Sequence, residues 1–320
     1  MSLIIERAGF FSSVQDLGRT GFREFGVSLG GALDSFGLRV VNLLVGNDEG
    51  AAGIEVTLGG LQLRFEDKHV VAWCGGDFDV RLGPRALAAG HARDVQTGEE
   101  LKIGRPQTGC RCWLAISGGI EAPLILGSRS TDLRAQFGGF EGRILRDGDV
   151  LALESRPGLP TTAAISSLTA SHDWVSPAKS EPVLRFTRGV DWKRFDGLSL
   201  DRLTSETFTV SSDSDRMGAR LEGPELNRVD KGDLISEAVA PGTIQVPPGG
   251  KPILLLGDCQ TIGGYPKIAH VITVDLGLAA QLRAGDRVRF SEVSLNEAYR
   301  LFLERERQLE LFRIGLSLHS

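Results

Sequence analysis

The apolar segments of this chain are short, and a turn-forming residue bounds each of them. Glycine is abundant, with 41 of 320 residues, and glycine permits the tight backbone turns that join neighbouring strands. Short apolar runs between Gly, Pro, Asp or Ser are typical of β-strands. The predicted strands cover residues 61–65, 70–73, 111–116, 150–153, 183–186, 208–210, 253–256 and 271–274. The sequence therefore predicts a mainly β chain with a sandwich or barrel architecture.

Two segments have helical periodicity instead. Residues 34–45 place apolar side chains three or four positions apart, with Asp34 able to cap the start and a glycine after the end. Residues 295–314 form an amphipathic pattern, and Ser294 with Glu297 matches a capping box. We expect this second helix to dock on its own core, with an oligomer or partner contact as the alternative.

The length of the chain predicts two domains of ordinary size. Residues 155–182 are rich in Ser, Thr, Ala and Pro and contain few large apolar side chains. We therefore place a linker or long surface loop over 156–182. The other predicted parts are an N-terminal lobe (1–155), a C-terminal lobe (183–293) and a C-terminal amphipathic helix with its tail (294–320).

Two short patterns occur twice and suggest an internal duplication. D-x-x-R-x-G appears at residues 16–21 and at 213–218. Its carboxylate can hold the guanidinium by two hydrogen bonds, and its glycine permits a tight turn. L-R-x-G-D appears at residues 145–149 and at 282–286, each time before a strand-like run. Asp, Arg and Gly are common residues, so chance recurrence is the alternative.

The charge balance and the cysteine spacing disfavour several functional classes. The net charge is −5, from 36 basic and 41 acidic residues, which suits neither nucleic acid nor an anionic membrane. The four cysteines lack redox or zinc spacing, so we expect buried thiols in a reducing compartment. The apolar runs are far shorter than the roughly 18 residues of a membrane span, and the first residues do not resemble a signal peptide. We expect a cytoplasmic protein.

The segment with the densest polar chemistry covers residues 257–267, directly after a predicted buried strand. Asp258 and Lys267 could polarise or deprotonate a ligand, and Gln260 and Thr261 could orient one. Two adjacent glycines would let the backbone lie close to a ligand and donate hydrogen bonds to it from N–H groups. A hairpin loop anchored by a tyrosine is the alternative to a ligand site. The candidates here are Asp258, Gln260, Thr261, Gly263, Gly264, Tyr265 and Lys267.

Further candidates lie outside this loop. Gln245 interrupts an apolar stretch, and because a buried amide needs partners, it is either structural or faces a pocket. Glu237 precedes a glycine turn, and Glu55 is its expected counterpart in the other lobe. In the first lobe, Ser128 and Arg129 belong to a Gly-Ser-Arg-Ser-Thr loop that could hold a carboxylate or phosphate, with a plain surface turn as the alternative.

Several catalytic signatures are absent from the sequence. Gly249-Gly250-Lys251 is followed by proline, which excludes a nucleotide-binding P-loop. There is no H-E-x-x-H, no G-x-S-x-G, and the five histidines have no metal spacing. If the chain takes part in a reaction that needs ATP, we expect another chain to supply most of the ATP site.

The order of these motifs resembles the biotin-dependent carboxyltransferase family, also called the allophanate hydrolase subunit 2 or KipA-like family. The resemblance covers residues 3–294. The matching segments are 14–19, 26–34, 42–47, 55–60, 127–131, 214–218, 241–248 and 258–269. The family commonly has Q-T-T-G-G-Y-P, and here Ile262 replaces the second threonine. If that threonine hydroxyl contacts substrate, the substrate preference of this chain differs. If it faces the core, Ile262 is a packing variant. The resemblance implies two cyclophilin-like β-barrel lobes related by pseudo-two-fold symmetry, with a few helices.

The resemblance also implies a function and partners. In its best-known bacterial role, a member of this family is the C subunit of an ATP-dependent 5-oxoprolinase complex, a hydrolase that cleaves 5-oxo-L-proline to L-glutamate. Its partners there are a KipI-like protein (PxpB) and a LamB/YcsF-type protein (PxpA), and a homo-oligomer of heterodimers is one form the complex can take. On this basis Arg19, Arg129 or Arg216 would hold a carboxylate or phosphate, and Asp258 or Glu237 would handle protons.

Two alternative functions follow from the same resemblance. The chain would be the carboxyltransferase module of a urea or amide carboxylase that uses carboxybiotin from another chain, or a KipA-like regulator that binds a KipI-like kinase inhibitor. Its only methionines are Met1 and Met217. Because it lacks the Met-Lys-Met signature, we expect no covalently bound biotin.

Overall fold

The computed structural model describes residues 1–154, 169–230, 232 and 234–318, and its fold is mainly β, as predicted. The strands are β1 (Ser2–Ala8), β2 (Phe11–Gln15), β3 (Gly53–Thr57), β4 (Leu61–Phe65), β5 (His69–Gly75), β6 (Phe78–Leu82), β7 (Arg85–Ala86), β8 (Arg93–Val95), β9 (Glu100–Pro106), β10 (Arg111–Ile116), β11 (Val150–Ala152), β12 (Val183–Arg188), β13 (Phe208–Val210), β14 (Gly218–Glu222), β15 (Glu237–Ala238), β16 (Thr243–Gln245), β17 (Ile253–Leu255), β18 (Ile262–Gly263), β19 (Lys267–Val271) and β20 (Arg287–Glu292). The α-helices are α1 (Ser35–Leu44), α2 (His172–Val175), α3 (Gly197–Ser205), α4 (Leu276–Ala279) and α5 (Leu295–Ser317), and short 3-10 helices cover Arg23–Phe25, Trp192–Arg194 and Thr273–Asp275.

The chain divides into two compact units. Unit 1 comprises Met1–Arg19, Gly30–Ala178 and Gln308–Ser320, and unit 2 comprises Thr20–Leu29 and Lys179–Arg307. The division at residue 178 falls inside the predicted linker, of which residues 156–168 lie outside the described residues. The rest of that segment includes α2, and Val175 at its end is buried because it packs on the remainder of unit 1.

Unit 1 contains two antiparallel sheets that share one core. Their strand orders are β11-β1-β4-β9-β6-β7 and β2-β3-β10-β5-β8. β4 shows the simplest pattern, because its buried Leu61, Leu63 and Phe65 alternate with half-buried residues. Strand β10 is buried along its whole length, as a central strand covered on both faces must be.

Unit 2 contains a closed seven-stranded barrel with the order β12-β19-β16-β17-β14-β13-β20. Its only parallel pair among the described strands is β12 with β20. Phe186, Phe208 and Phe290 fill part of its interior, with ring centroids 5.8 and 6.5 Å apart in edge-to-face geometry. Strands β15 and β18 form a separate two-stranded sheet.

The predicted helices are both present. The Asp34 carboxylate accepts a hydrogen bond from the Gly37 amide and caps α1, and the Ser294 hydroxyl accepts one from the Glu297 amide at the start of α5. The C-terminal part of α5 belongs to unit 1, where Phe312 packs edge-on against the Trp174 ring. The expectation that this helix docks on its own core is confirmed for that part.

One predicted strand was wrong, and three α-helices (α2, α3 and α4) were missed. Residues 271–274 were expected to be a strand, but β19 ends at Val271 and Thr273 begins a 3-10 helix. Helix α3 has only Ser199 and Leu203 buried, so its apolar periodicity is weak. The Asp196 carboxylate caps it by accepting a hydrogen bond from the Ser199 amide, and an aspartate before a helix is a start signal that is visible in the sequence.

The repeated L-R-x-G-D pattern forms the same turn in each unit. The Arg146 amide donates to the Asp149 carboxylate at 2.8 Å, and the Arg283 amide donates to the Asp286 carboxylate at 3.0 Å. Both turn glycines, Gly148 and Gly285, have φ of 88°. Each turn also exchanges two backbone hydrogen bonds with one strand residue, Ile5 in unit 1 and Val210 in unit 2. These equal patterns support an internal duplication.

The D-x-x-R-x-G pattern does not mark equivalent positions. Asp16 follows β2, whereas Asp213 lies between β13 and β14. The described contacts also differ, because Arg19 donates to the Ser130 carbonyl whereas Arg216 donates to the Asp258 carboxylate. Asp16 accepts hydrogen bonds from the Ser128 and Ser130 hydroxyls, and Asp213 is exposed. These differences favour chance recurrence for this pattern.

Among the described residues, every helix is too short or too polar to cross a lipid bilayer.

Candidate functional site

The candidate site in unit 2 is built on the paired strands β16 and β19. Gln245 lies opposite Lys267 in the register, and both side chains are buried. Residues directly opposite on antiparallel strands project to the same face of the sheet. A bulge separates Ile244 from Gln245 in this pair, and a bulge changes the direction in which the following side chain points.

The buried Lys267 ammonium lies between two carboxylates. Its Nζ is 2.9 Å from Glu237 Oε2 and 3.6 Å from Asp191 Oδ2. The Asp191 carboxylate also accepts a hydrogen bond from the Lys267 backbone amide at 2.9 Å. An unpaired buried ammonium would be strongly destabilising, so these acids account for the position of Lys267 inside the barrel wall.

Asp191 was not among the predicted site residues. It follows β12, and its partner Lys267 is 76 positions away in the sequence. Both Asp191 and Asp258 follow a predicted strand within a few residues. That signal was available in the sequence, whereas the contact with Lys267 depends on the pairing of β12 with β19.

Two glutamines form an amide pair beside Lys267. Gln260 Nε2 donates to Gln245 Oε1 at 3.3 Å, and Gln245 Nε2 donates to the Tyr265 carbonyl at 3.2 Å. A Cβ atom on Gly263 would lie 2.7 Å from Gln245 Nε2. A glycine at this position therefore lets the loop backbone lie against the amide.

The loop that carries these residues is tied to β15. Gly263 pairs with Glu237 in the two-stranded sheet, and the Val239 amide donates to the Thr261 carbonyl at 3.0 Å. The Arg23 guanidinium donates to the Val239 carbonyl and lies 3.5 Å from the Gln260 carbonyl. Arg23 was not predicted from the sequence, because its partners are more than 200 positions away.

The exposed side of this loop carries two large side chains. Ile262 is 61% exposed and Tyr265 is 46% exposed. Ile262 therefore does not pack in the core, and a contact between this position and a ligand stays a prediction. Thr261 is buried, and Gly264 is half-buried beside Ser236.

Asp258 and Arg216 are paired with each other. The guanidinium donates to both carboxylate oxygens at 2.8 and 3.1 Å, and the Asp258 amide donates to the Arg216 carbonyl at 3.1 Å. Both were predicted to act on a ligand. The two-pronged contact engages both oxygens of Asp258, which favours a structural role for the pair.

Burial and charge change the acidity of two groups near this site. Burial, followed by the positive charge of Lys267, lowers the pKa of His270, and the ring lies 3.2 Å from the Thr243 hydroxyl. Burial raises the pKa of the Cys259 thiol to about 11, although the Arg23 guanidinium acts in the opposite direction. A thiol with such a pKa is a poor nucleophile at neutral pH.

The predicted residues of unit 1 form a separate network around Asp16. This carboxylate accepts hydrogen bonds from the hydroxyls of Ser128 and Ser130 and from the backbone amide of Arg129. Ser128 has no exposed surface. Arg19 is also fully buried, donates to the Ser130 carbonyl and lies over the Phe137 ring. These contacts of Ser128 and Arg19 hold the loop in place, and a ligand-binding role for either residue stays a prediction.

Arg129 borders a cavity of about 320 Å³ in unit 1. Its guanidinium donates to Glu154 at 2.6 Å. The lining residues are Asp48, Gly50, Ala51, Ala52, Gly118, Gly119, Ile120, Arg129 and Glu154. Among the predicted residues of unit 1, Arg129 is thus one that borders a concavity.

Glu55 and Glu237 are not counterparts. Glu55 is fully buried in β3, accepts a hydrogen bond from the Trp113 indole at 2.9 Å and lies 3.9 Å from the Arg111 guanidinium. The Glu237 side chain is 61% exposed. The two glutamates therefore lie in different environments. The burial of Glu55 and its hydrogen bond with Trp113 indicate a structural role.

Comparisons with known proteins agree on one family. The family described as "Carboxyltransferase domain, subdomain A and B" matches residues 25–292. The chain is similar to the C subunit of the 5-oxoprolinase of Escherichia coli, with 40% identity over 99% of both chains, and to that of Haemophilus influenzae, with 38% identity over 94% of both chains. The crystal structure of the K. lactis urea amidolyase aligns with a TM-score of 0.87 and 29% identity, over 97% of this chain and 20% of that chain.

Proposed function

We propose, since this chain belongs to the family of carboxyltransferase domains with subdomains A and B, that it acts as the C subunit of an ATP-dependent 5-oxoprolinase. This hydrolase opens the cyclic amide of 5-oxo-L-proline to give L-glutamate. The observation that carries the proposal is the 40% identity to the C subunit of a bacterial 5-oxoprolinase over 99% of each chain. A match that spans both chains end to end supports a common role better than a match to one module of a longer protein.

The unit 2 site has groups suited to this substrate. 5-Oxo-L-proline carries a carboxylate and a lactam amide. The Lys267 ammonium can hold the carboxylate, and the amides of Gln245 and Gln260 can exchange hydrogen bonds with the lactam. Because these side chains are held by buried contacts, the ligand would meet donors and acceptors that are already oriented.

Opening a five-membered lactam is unfavourable unless it is coupled to ATP. Activation of the amide oxygen would make the carbonyl carbon more reactive toward attack by water. The sequence has no P-loop, so we assign most of the ATP site to another polypeptide of the complex. The proposed partners are the KipI-like protein PxpB and the LamB/YcsF-type protein PxpA, consistent with the word "subunit" in the names of both bacterial relatives.

Reconstitution tests this proposal. The chain would be co-expressed with the two candidate partners, and glutamate formed from 5-oxo-L-proline would be measured with and without ATP. We expect ATP-dependent glutamate only when all three polypeptides are present. Lys267→Met should lower the rate by about a hundredfold because the carboxylate loses its cation, whereas Lys251→Met, at an exposed Lys–Glu pair of unit 2, should not change it. Full activity of Lys267→Met would remove Lys267 from the site.

A second candidate function is supported by the structural comparison. The alignment with the urea amidolyase covers 97% of this chain, so the scaffold also suits a carboxyltransferase module that takes carboxybiotin from another chain. Transfer of labelled carboxylate from free carboxybiotin to urea or an amide, without 5-oxoproline turnover, would favour this alternative.

A further inference from the structure

Lys267 has two acidic partners of different kinds. The Asp191 carboxylate is 11% exposed, is held by the Lys267 amide at 2.9 Å, and forms an ion pair with Arg194 at 3.1 Å. The side chain of Glu237, in contrast, is 61% exposed and belongs to the two-residue strand β15. Asp191 is therefore fixed by several contacts. The side chain of Glu237 is accessible to water, and its one ion pair among the described residues is with Lys267.

The two contacts differ accordingly in how easily they are exchanged. Exchange of Glu237 for another carboxylate leaves the ammonium paired, because Asp191 stays 3.6 Å away and the incoming carboxylate takes the place of Glu237. The released Glu237 side chain is solvated by water. Moving Glu237 away from Lys267 needs only a rotation of its side chain. The backbone of β15 can stay in place, because Glu237 pairs with Gly263 and Arg23 holds the Val239 carbonyl.

The group that replaces Glu237 must resemble it chemically. The Lys267 ammonium is the only cationic partner of Glu237 among the ion pairs of the described residues, and Gln245 lies opposite Lys267 on the paired strand. A ligand that offers a carboxylate to the ammonium and an amide to the glutamine pair fits both. Small carboxylates with a neighbouring amide are therefore the ligand class.

We infer that Glu237 occupies the place of the substrate carboxylate on Lys267, and that Asp191 is the positioning residue that holds Lys267 when Glu237 is displaced. The identity of the ligand as 5-oxo-L-proline rests on the proposed function. Glu237, for which the sequence predicted a role in proton transfer, is then a competitor of the substrate.

Steady-state kinetics of the full complex test the role of Glu237. Glu237→Gln removes the competing charge, so KM for 5-oxo-L-proline should fall about threefold to fivefold with kcat unchanged. The inhibition constant of 2-pyrrolidinone, the same lactam without the carboxylate, should not change. Glu222→Gln, at the exposed Lys251 pair, is the matched control and should leave both constants unchanged. An unchanged KM, or a tenfold loss of kcat in Glu237→Gln, overturns the inference.

The role of Asp191 has its own readout. Asp191→Asn should raise KM for 5-oxo-L-proline by about tenfold or more while changing 2-pyrrolidinone inhibition little, because only the carboxylate ligand uses Lys267. Asp191→Glu should recover part of the loss. Equal effects on both ligands would mean a merely structural role and overturn the assignment. If Asp191→Asn does not fold, the exposed Glu237→Gln variant still tests the exchange.

A binding measurement separates this inference from the proposed function. Calorimetric titration of the complex with 5-oxo-L-proline needs no turnover. Stronger binding to the Glu237→Gln form than to the wild type, with no difference for 2-pyrrolidinone, supports the exchange even if the complex forms no glutamate. Equal or undetectable binding to both forms overturns it, even if the complex is an active 5-oxoprolinase.

Discussion

At the residue scale, Gly263 sets how closely the loop backbone approaches the Gln245 amide. A Cβ at this position would lie 2.7 Å from Gln245 Nε2, well inside van der Waals contact. The atom it meets is the end of a flexible side chain, which can move aside. Such a substitution therefore changes the site more than it changes the stability of the barrel.

Gly263→Ala should lower ATP-dependent glutamate formation by about tenfold, because the displaced Gln245 amide loses its contacts with Gln260 and the Tyr265 carbonyl. The melting temperature should stay within a few degrees of the wild type. The rate of the reconstituted complex and a thermal melt of the chain measure both effects. Gly249→Ala, where a Cβ would meet nothing within 4 Å, is the control. Unchanged activity of Gly263→Ala would mean that the amide pair does not orient substrate.

A second residue-scale effect concerns His69, which is buried in unit 1. Burial lowers the pKa of His69 below its ordinary value of 6.5, despite a contact with Ser117 that acts in the opposite direction. Below about pH 6.5, His69 takes up a proton more readily in the unfolded chain than in the folded chain. The contribution of neutral His69 to stability is therefore fully present above about pH 6.5 and is lost as the pH falls below it.

We expect the free energy of unfolding to fall between about pH 7.5 and about pH 5.5, and His69→Gln to reduce that fall. Urea unfolding at the two pH values measures it. His172→Gln, at an exposed position, should leave the pH dependence as in the wild type. The same slope in His69→Gln and the wild type would show that other groups, such as His270 with its lowered pKa, govern the acid sensitivity.

The site residues that could be predicted from the sequence are those close together in it. The loop around Tyr265 was identified because polar residues directly follow a buried strand. Asp191 and Arg23 were missed because their contacts are made by segments far apart in the chain. Asp258 was identified as polar and near the site, but its pairing with Arg216 is fixed by the tertiary structure.

At the element scale, the L-R-x-G-D turn is the clearest common feature of the two units. Both glycines have φ of 88°, and a Cβ on either would meet nothing within 4 Å. The conformation itself, and not a clash, is therefore what requires glycine at these positions.

Gly148→Ala and Gly285→Ala should each lower the free energy of unfolding by about 1 kcal/mol, because an L-residue at this φ is strained. The two values should agree with each other within about 0.5 kcal/mol. Chemical unfolding of each variant provides the measurement. Gly315→Ala, inside helix α5 and with free space around the new Cβ, should instead stabilise by up to about 1 kcal/mol. A large difference between the two turn variants would contradict their equivalence.

The elements that could be predicted from sequence are those whose local signals agree with their tertiary role. Helix α1 has its cap and its apolar face in sequence, and β4 has strict alternation. The segment at 271–274 has the apolar composition of a strand, but the barrel needs a change of direction after Val271, and a 3-10 helix provides it. Apolar composition alone does not distinguish these outcomes.

At the scale of the whole molecule, the chain contains two units, and the reaction proposed for it needs further polypeptides. The mainly β architecture was predictable, because many short apolar runs between turn residues allow few other arrangements. The division into units was harder to predict, because unit 2 also includes Thr20–Leu29 from the N-terminal region. No local pattern in that segment reveals which unit it joins.

The purified chain should give no avidin signal after denaturation, even when a biotin ligase is co-expressed, because the sequence lacks a Met-Lys-Met signature. An avidin blot measures this, with a known biotin carrier as the positive control. Any carboxybiotin used by the alternative activity would then have to come from a separate carrier. A biotinylated lysine identified by mass spectrometry would contradict this expectation.

The bulge between Ile244 and Gln245 has a consequence for how this family can diversify. Side chains alternate between the two faces of a strand, so gaining or losing one residue in β16 or β19 would turn Gln245 or Lys267 to the opposite face. We therefore expect the lengths of these two strands to be constrained, whereas exposed side chains in the segment between them can vary more freely. New substrate preferences are most readily acquired by exchanging exposed side chains such as Ile262, with the strand lengths conserved.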